Sequence, residues 1–270
     1  WAIHKIHNDP TDPTELHTGY VDAQGQYVRQ LDLNGDGRLD LVIAAFKQTL
    51  WYLPGPTDPK TGPWRFYKIA ESPYSQGGAC IADLDADGDL DIAWGRCWYK
   101  KPGRPTVIQW RRYLIAPGWP DESNVAIGDL DRDGWMDVVL AAQVTGHGLT
   151  WYRNPGHDPR ARWLKFRVIS GWKGLHSCQV ADFDNDGDLD FFTAQTHEQP
   201  DRRVAVIENQ DGHGRQWNVH ILSTVGSHNA KVGDLDNDGD IDIAGKNDET
   251  DIRPRVWINS LSDGVSSSKP

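Results

Sequence analysis

The sequence is short of cysteine, of basic charge and of long apolar runs. Three Cys in 270 residues are too few for a disulfide scaffold, and the odd number leaves at least one without an internal partner. No apolar stretch reaches the ~18–20 residues of a membrane-spanning helix, which points to a soluble protein. Only 28 Lys and Arg stand against 39 Asp and Glu, giving a net charge of −11. Generic nucleic-acid binding through a basic surface is therefore disfavoured. Apolar residues at helical spacing are missing as well. No secretory signal opens the chain, which starts inside what reads as a strand; the numbering is expected to begin at a mature or trimmed end. Hydrophobic residues make up only 38%, yet 13 Trp, 8 Tyr and 6 Phe are enough to bury a core and exclude disorder.

What the chain has in excess is periodic. Five segments share the pattern D-x-[DN]-x-D-G-x-x-D, starting at Asp32, Asp83, Asp129, Asp182 and Asp234, or 51, 46, 53 and 52 residues apart. A Trp opens a short alternating run at Trp1, Trp64, Trp110, Trp163 and Trp217, on the same beat. A second marker reads Trp51-Tyr52, Trp98-Tyr99, Trp151-Tyr152 and Trp257-Ile258, with Val206-Ile207 in the fourth repeat. Each unit thus reads as four short strands with an Asp turn between the first and second. Four-stranded units of about 50 residues indicate a β-propeller. The expected fold is all-β, a five-bladed β-propeller over residues 1–260, with 261–270 as a tail or linker. The chain starts on a fourth strand, residues 1–6, and ends on a third. The N-terminal strand is expected to complete the last blade and close the ring.

The Asp spacing suits a hard cation. Side-chain oxygens at positions 1, 3, 5 and 9 can converge, and Gly at position 6 permits the sharp turn. The predicted ligands are Asp32, Asn34, Asp36 and Asp40; Asp83, Asp85, Asp87 and Asp91; Asp129, Asp131, Asp133 and Asp137; Asp182, Asp184, Asp186 and Asp190; and Asp234, Asp236, Asp238 and Asp242. Oxygen-only ligation favours Ca²⁺ over Mg²⁺. The alternative is a set of Asp turns held by side-chain-to-backbone bonds. Packed carboxylates would repel one another without cations, and five Ca²⁺ ions nearly cancel the net charge of −11. The ions are read as structural, with the Asn34 site the weakest.

Segments such as 83–93 and 182–194 resemble FG-GAP/VCBS repeats, the calcium-binding blades of integrin heads, fungal lectins and propeller polysaccharide lyases. The stretch from Trp151 to Trp163 is similar to the fungal aldos-2-ulose dehydratase propeller. The resemblance covers essentially the whole chain and implies the fold and the calcium; it discriminates poorly between functions. Those relatives mostly have seven or eight blades, so no catalytic residue carries over.

The loops on the face opposite the Asp turns differ from blade to blade, which favours one asymmetric site over a repeated lectin pocket. His176 and His228 stand in the same register, each six residues before its motif, with His197 on a nearby loop. Histidine can act as a general base near neutral pH, and Tyr27 is a further candidate. Arg29, Lys47, Arg96, Lys231 and Lys246 are expected to ring the mouth of an acidic protein and favour an anionic ligand such as a uronate. Asn124, Gln143, Gln195 and Asn229 are expected to add polar contacts, and Trp119 and Trp172 to stack on sugar rings. The alternative is that the aromatics cover the blade tops and the cations are solvated. Cys80 and Cys97 could form a disulfide or stay two buried thiols. The sequence therefore reads as a secreted (extracellular or periplasmic) calcium-stabilised propeller. Its partner is an acidic carbohydrate, and it is either a lyase-type enzyme or a binding or protein-adhesion module.

Overall fold

Each Asp motif reverses the chain between two antiparallel strands, and the pattern recurs five times around one axis. The structure, a computed structural model, describes residues 27–45, 49–60, 62, 64–71, 78–103, 110–119, 122–158, 160–196, 198–247 and 253–261. Blade 1 holds β1 (Tyr27–Leu31), β2 (Asp40–Ala45), β3 (Thr49–Leu53) and β4 (Tyr67–Glu71). Blade 2 holds β5 (Ala79–Ala82), β6 (Asp91–Trp94), β7 (Cys97–Lys100) and β8 (Arg111–Leu114). Blade 3 holds β9 (Ser123–Gly128), β10 (Asp137–Ala142), β11 (Leu149–Arg153) and β12 (Leu164–Ile169). Blade 4 holds β13 (Leu175–Ala181), β14 (Asp190–Gln195), β15 (Val204–Asn209) and β16 (Trp217–Ser223). Blade 5 holds β17 (His228–Gly233), β18 (Asp242–Lys246) and β19 (Arg255–Trp257). Within each blade the strands pair antiparallel in chain order, and the first strands of successive blades lie side by side. The molecule is a five-bladed β-propeller with a last blade of three described strands. The predicted closing strand, residues 1–6, lies outside the described residues.

The core sits between blades. Trp110 of blade 2 packs with Leu33 and Tyr52 of blade 1. Trp163 of blade 3 packs with Leu84 and Trp98 of blade 2. Trp217 of blade 4 joins Leu130 and Trp151 of blade 3. Within blades, the third-strand Trp faces an aromatic on the fourth: Trp98 stacks on Tyr113 with ring centroids 4.8 Å apart, and Trp151 on Phe166 at 4.5 Å. Between blades 4 and 5 there is a cavity of about 630 Å³ lined by Phe183, Val206, Ile243 and Trp257. On the adjoining strand Val256 is 54% exposed, while Trp98 and Trp151 are each 1% exposed.

The register of blade 5 differs from the sequence expectation by one residue. Asn259 N–H donates to Asp242 as Asn154 N–H donates to Asp137, so Trp257 takes the place of Tyr152 and Val256 that of Trp151. A Trp alone does not fix register; the backbone bonds to the motif's last Asp do.

Candidate functional site

The five motif loops share one hydrogen-bond scheme. Position 1 accepts the N–H of the position-6 glycine, from Asp32 to Gly37 at 2.7 Å through Asp234 to Gly239 at 3.2 Å. Position 5 accepts the N–H of position 7, as Asp87 does from Asp89 at 2.9 Å. Position 9 is buried in every blade and uses both oxygens. One accepts the N–H of position 2 and the other that of a residue at or just past the end of the third strand, as Asp137 does from Leu130 and Asn154. In four blades the carboxylates at positions 1, 3 and 9 offer oxygens all within 4.8 Å of one another: Asp83, Asp85 and Asp91; Asp129, Asp131 and Asp137; Asp182, Asp184 and Asp190; Asp234, Asp236 and Asp242. Blade 1 has Asn34 at position 3. Burial pushes Asp91 up to about 7, Asp137 to about 8 and Asp190 to about 6, with neighbouring carboxylates adding to the shift.

Around the axis the inner strands bring six of the predicted residues together. A small cavity of about 10 Å³ is lined by Arg29, Asn124, His176, Asn229 and Lys231 among others. His176 stacks on His228, with ring centroids 4.6 Å apart and 28° between planes. Both imidazoles sit at register shifts, between Leu175 and Ser177 in β13 and between His228 and Lys231 in β17. Such bulges re-aim a side chain, and here they turn adjacent-blade histidines towards each other. Asn229 supports the second bulge at a φ of 56°. Arg29 Nε donates to Ala79 O at 3.1 Å, Asn124 Nδ2 to Leu175 O at 3.1 Å, and Ala230 N–H to Ser177 Oγ at 3.0 Å. These bonds link neighbouring inner strands and hold the residues in place. Desolvation of the Lys231 ammonium beside the cavity, with Arg29 nearby, holds it below its ordinary value, although the residue as a whole is exposed.

The other predicted residues are placed elsewhere. Trp119 is only 2% exposed; its Nε1 donates to Ser123 Oγ at 2.5 Å, and it offers no open face to a sugar. Trp172 is half-buried under the Arg203 guanidinium, 4.7 Å from its ring. Gln143 and Gln195 are buried, and Gln195 bonds Lys173 O and Arg203 N–H. Arg96 reaches Trp119 O at 3.5 Å, and exposed Lys246 reaches Asn247 O at 3.5 Å. Lys47 and His197 lie outside the described residues, and Tyr27 is described by its backbone alone. Cys80, Cys97 and Cys178 are free thiols; Cys80 donates to Val125 O, and the register pairs it with Ala93, not Cys97.

The FG-GAP-like repeat pattern matches residues 32–94, 129–193 and 182–245, which is most of the chain and includes each Asp loop. The chain belongs to the FG-GAP-like repeat family. No curated protein matches it in sequence. Among solved structures it is similar to an Agrocybe aegerita lectin specific for non-reducing terminal N-acetylglucosamine. That match has a TM-score of 0.53 and 17% identity, and covers 87% of this chain and 66% of the lectin. It is also similar to the V. cholerae biofilm matrix protein Bap1, with a TM-score of 0.46 and 18% identity, over 77% of this chain and 30% of that protein. At 17% identity the likeness to the lectin establishes the fold alone.

The FG-GAP loops fit a cation on their own geometry. Asp85, Asp131 and Asp182 each carry a buried Oδ1 with no hydrogen-bond partner, and each belongs to one of the acidic clusters. A buried carboxylate oxygen without a donor is costly unless a cation faces it. Sequence reasoning missed two roles in the FG-GAP units. Position 9 ties the Asp turn to the third strand in addition to facing the cluster. The residue two past the third-strand aromatic bolts blades together: Asn154 Nδ2 donates to Leu84 O at 2.8 Å, Asn209 to Leu130 O at 3.1 Å, Asn259 to Phe183 O at 2.7 Å, and Lys101 Nζ to Leu33 O at 3.2 Å. The periodic Asn at 154, 209 and 259 was the available signal.

Proposed function

We propose that this FG-GAP propeller is a secreted, calcium-stabilised carbohydrate-binding module that takes an acidic sugar at one end of its axis. The observation that carries the reading is the convergence of Arg29, Lys231, Asn124, Asn229 and His176, which stacks on His228, around one small cavity. Two cations held close together favour an anion, because each raises the cost of the other's charge. A cavity of about 10 Å³ admits a carboxylate oxygen and excludes a pyranose ring. The ring then lies across the mouth, over the imidazoles, with its carboxylate directed inward. Structural Ca²⁺ in the Asp loops stiffens the blades that shape this mouth. The lectin with the same fold supports carbohydrate recognition and makes a neutral amino sugar the comparison ligand.

A second reading is a polysaccharide lyase acting at the same mouth. It is favoured by an imidazole pair beside cations, since elimination on a uronate needs a base and a neutralised carboxylate. One experiment addresses both. The protein, with calcium, is run through affinity electrophoresis on uronate polysaccharides and on N-acetylglucosamine-terminated glycans, and the uronates are also assayed for unsaturated product by ultraviolet absorbance. Retardation by uronates that is lost in Arg29→Ala, without absorbance change, is the expected result. An absorbance rise abolished by His176→Ala or His228→Ala would establish the lyase instead. Retardation by the amino sugar alone would overturn the acidic ligand, and no interaction with any glycan would move the protein to adhesion.

A further inference from the structure

The five Asp loops have the same backbone but not the same charge. They differ at motif positions 3, 4 and 7, and also at the residue just past the third-strand marker, which reaches back to the loop. In blade 2 it is Lys100, whose Nζ pairs with Asp85 and, at 2.6 Å, with Asp87. In blade 3 it is Arg153, whose guanidinium pairs with Asp131 and, at 2.8 Å, with Asp133. In both, the cation holds Oδ2 of the position-3 Asp while Oδ1 is buried without a hydrogen-bond partner. Asp85 is 7% exposed, so this oxygen is enclosed by protein.

Blade 4 reverses the sign. The corresponding residue is the acidic Glu208, which lines the same cavity as Asp184 and Asp190 and whose Oε2 lies 2.6 Å from His220 Nε2. Asp188, at position 7, is 4% exposed with an unpartnered Oδ1; Asp186 and Asp190 lie beside it, and the Arg132 guanidinium of blade 3 comes near from the neighbouring loop. Blade 5 carries uncharged Ile258 there, and blade 1 pairs Arg38 with Asp36 and has Asn34 at position 3.

We infer that the loops fall into two classes. Lys100 and Arg153 neutralise the blade 2 and 3 loops from within, so these hold their shape without a tightly bound divalent cation, whereas the blade 4 loop, with Glu208, and the blade 5 loop are the tight calcium sites. This rests on the calcium reading proposed above. Affinity at oxygen sites follows the charge of the ligand set. A unit charge about 5 Å from a divalent ion in a water-like dielectric changes affinity about tenfold.

The test is a calcium titration of the full chain against a chromophoric chelator, beginning from chelator-stripped protein. Two ions bound at least about tenfold more tightly than the rest are expected. Lys100→Met and Arg153→Met should each tighten one weak site about tenfold, and Glu208→Gln should loosen one tight site to a similar degree. Hydrogen exchange of the wild-type chain in chelator gives a readout independent of variant folding. Deprotection should begin in β14–β19 while β5–β12 stay protected. Five equal sites, substitutions that shift none of them, or uniform deprotection would overturn the two-class assignment and leave calcium binding standing. No calcium uptake at all would overturn both.

Discussion

Replacing Asn154 by Ala should cost stability out of proportion to the few atoms removed. Its side chain is 5% exposed. Nδ2 donates to Leu84 O of the preceding blade at 2.8 Å and to Met136 O at 2.9 Å, and Oδ1 accepts Gly156 N–H at 3.0 Å. The truncation leaves two carbonyls and one N–H without these partners. At about 1 kcal/mol for each group left unsatisfied, the loss is about 3 kcal/mol. For a chain of this size that corresponds to a fall in Tm of roughly 6–12 °C, measured by differential scanning calorimetry at fixed calcium. Asn154→Asp keeps the volume but sets a carboxylate against two carbonyl oxygens, so it should cost at least as much. Asn259→Ala removes one half-buried inter-blade bond, at 2.7 Å, and should cost less. A fall below about 2 °C for Asn154→Ala, or an Asp variant as stable as wild type, would refute the bolt and leave Asn154 a turn residue.

Trp119→Ala should cost about 3–5 kcal/mol in urea melts, because the indole is 2% exposed and packed with Tyr152, yet uronate retardation at low temperature should survive. Lost binding in a folded variant would return Trp119 to the sugar site. Deleting residues 1–6 should lower Tm markedly if they supply the fourth strand of blade 5, where Val256 and Ile258 are 54% and 51% exposed; an unchanged melt would remove that assignment. Lys231 has its folded pKa lowered by desolvation and by Arg29 from the usual 10.5. Between the lowered value and 10.5 the unfolded chain binds more protons, so stability should rise with pH across that window. Urea melts from neutral to alkaline pH should show this rise in wild type and lose it in Lys231→Met; the same slope in both would place the cause elsewhere.

What was legible in the sequence was local or periodic. A motif in which Asp83 reaches Gly88 five residues on leaves its mark within one turn, and five such turns on one beat fix the blade count. The axial cluster was partly legible for the same reason, since equal spacing before the motif puts His176 and His228 in one register. Their stacking was not legible, because it depends on two bulges that shift the register by a residue. Trp119 shows the opposite failure. Its place on a loop follows from the sequence, but whether an indole on a loop points out or in is decided by its packing on Tyr152, which only the folded ring brings beside it, together with the local bond to Ser123.

The least legible feature was how the blades are joined. Asn154 and Leu84 are 70 residues apart, and nothing near either one announces the bond. Each bolt runs from the end of a third strand to the Asp turn of the blade before it, while position 9 ties that third strand to its own Asp turn. The Asp turns and third strands therefore form one continuous hydrogen-bonded chain through blades 1 to 5. Any cation held in a loop stiffens a link in that chain and, through it, the neighbouring blade. At the bolt position blade 1 has Gly55, whose N–H donates to Asp40 but which carries no side chain to reach Leu235 of blade 5. Leu235 is 49% exposed, while its counterparts Leu33, Leu84 and Leu130 are 2% exposed or less. Among the described residues, the junction between blades 5 and 1 thus lacks the bolt that the other four junctions have. A ring joined this way should open first at that junction, next to the blade 4 and 5 loops assigned the tightest calcium.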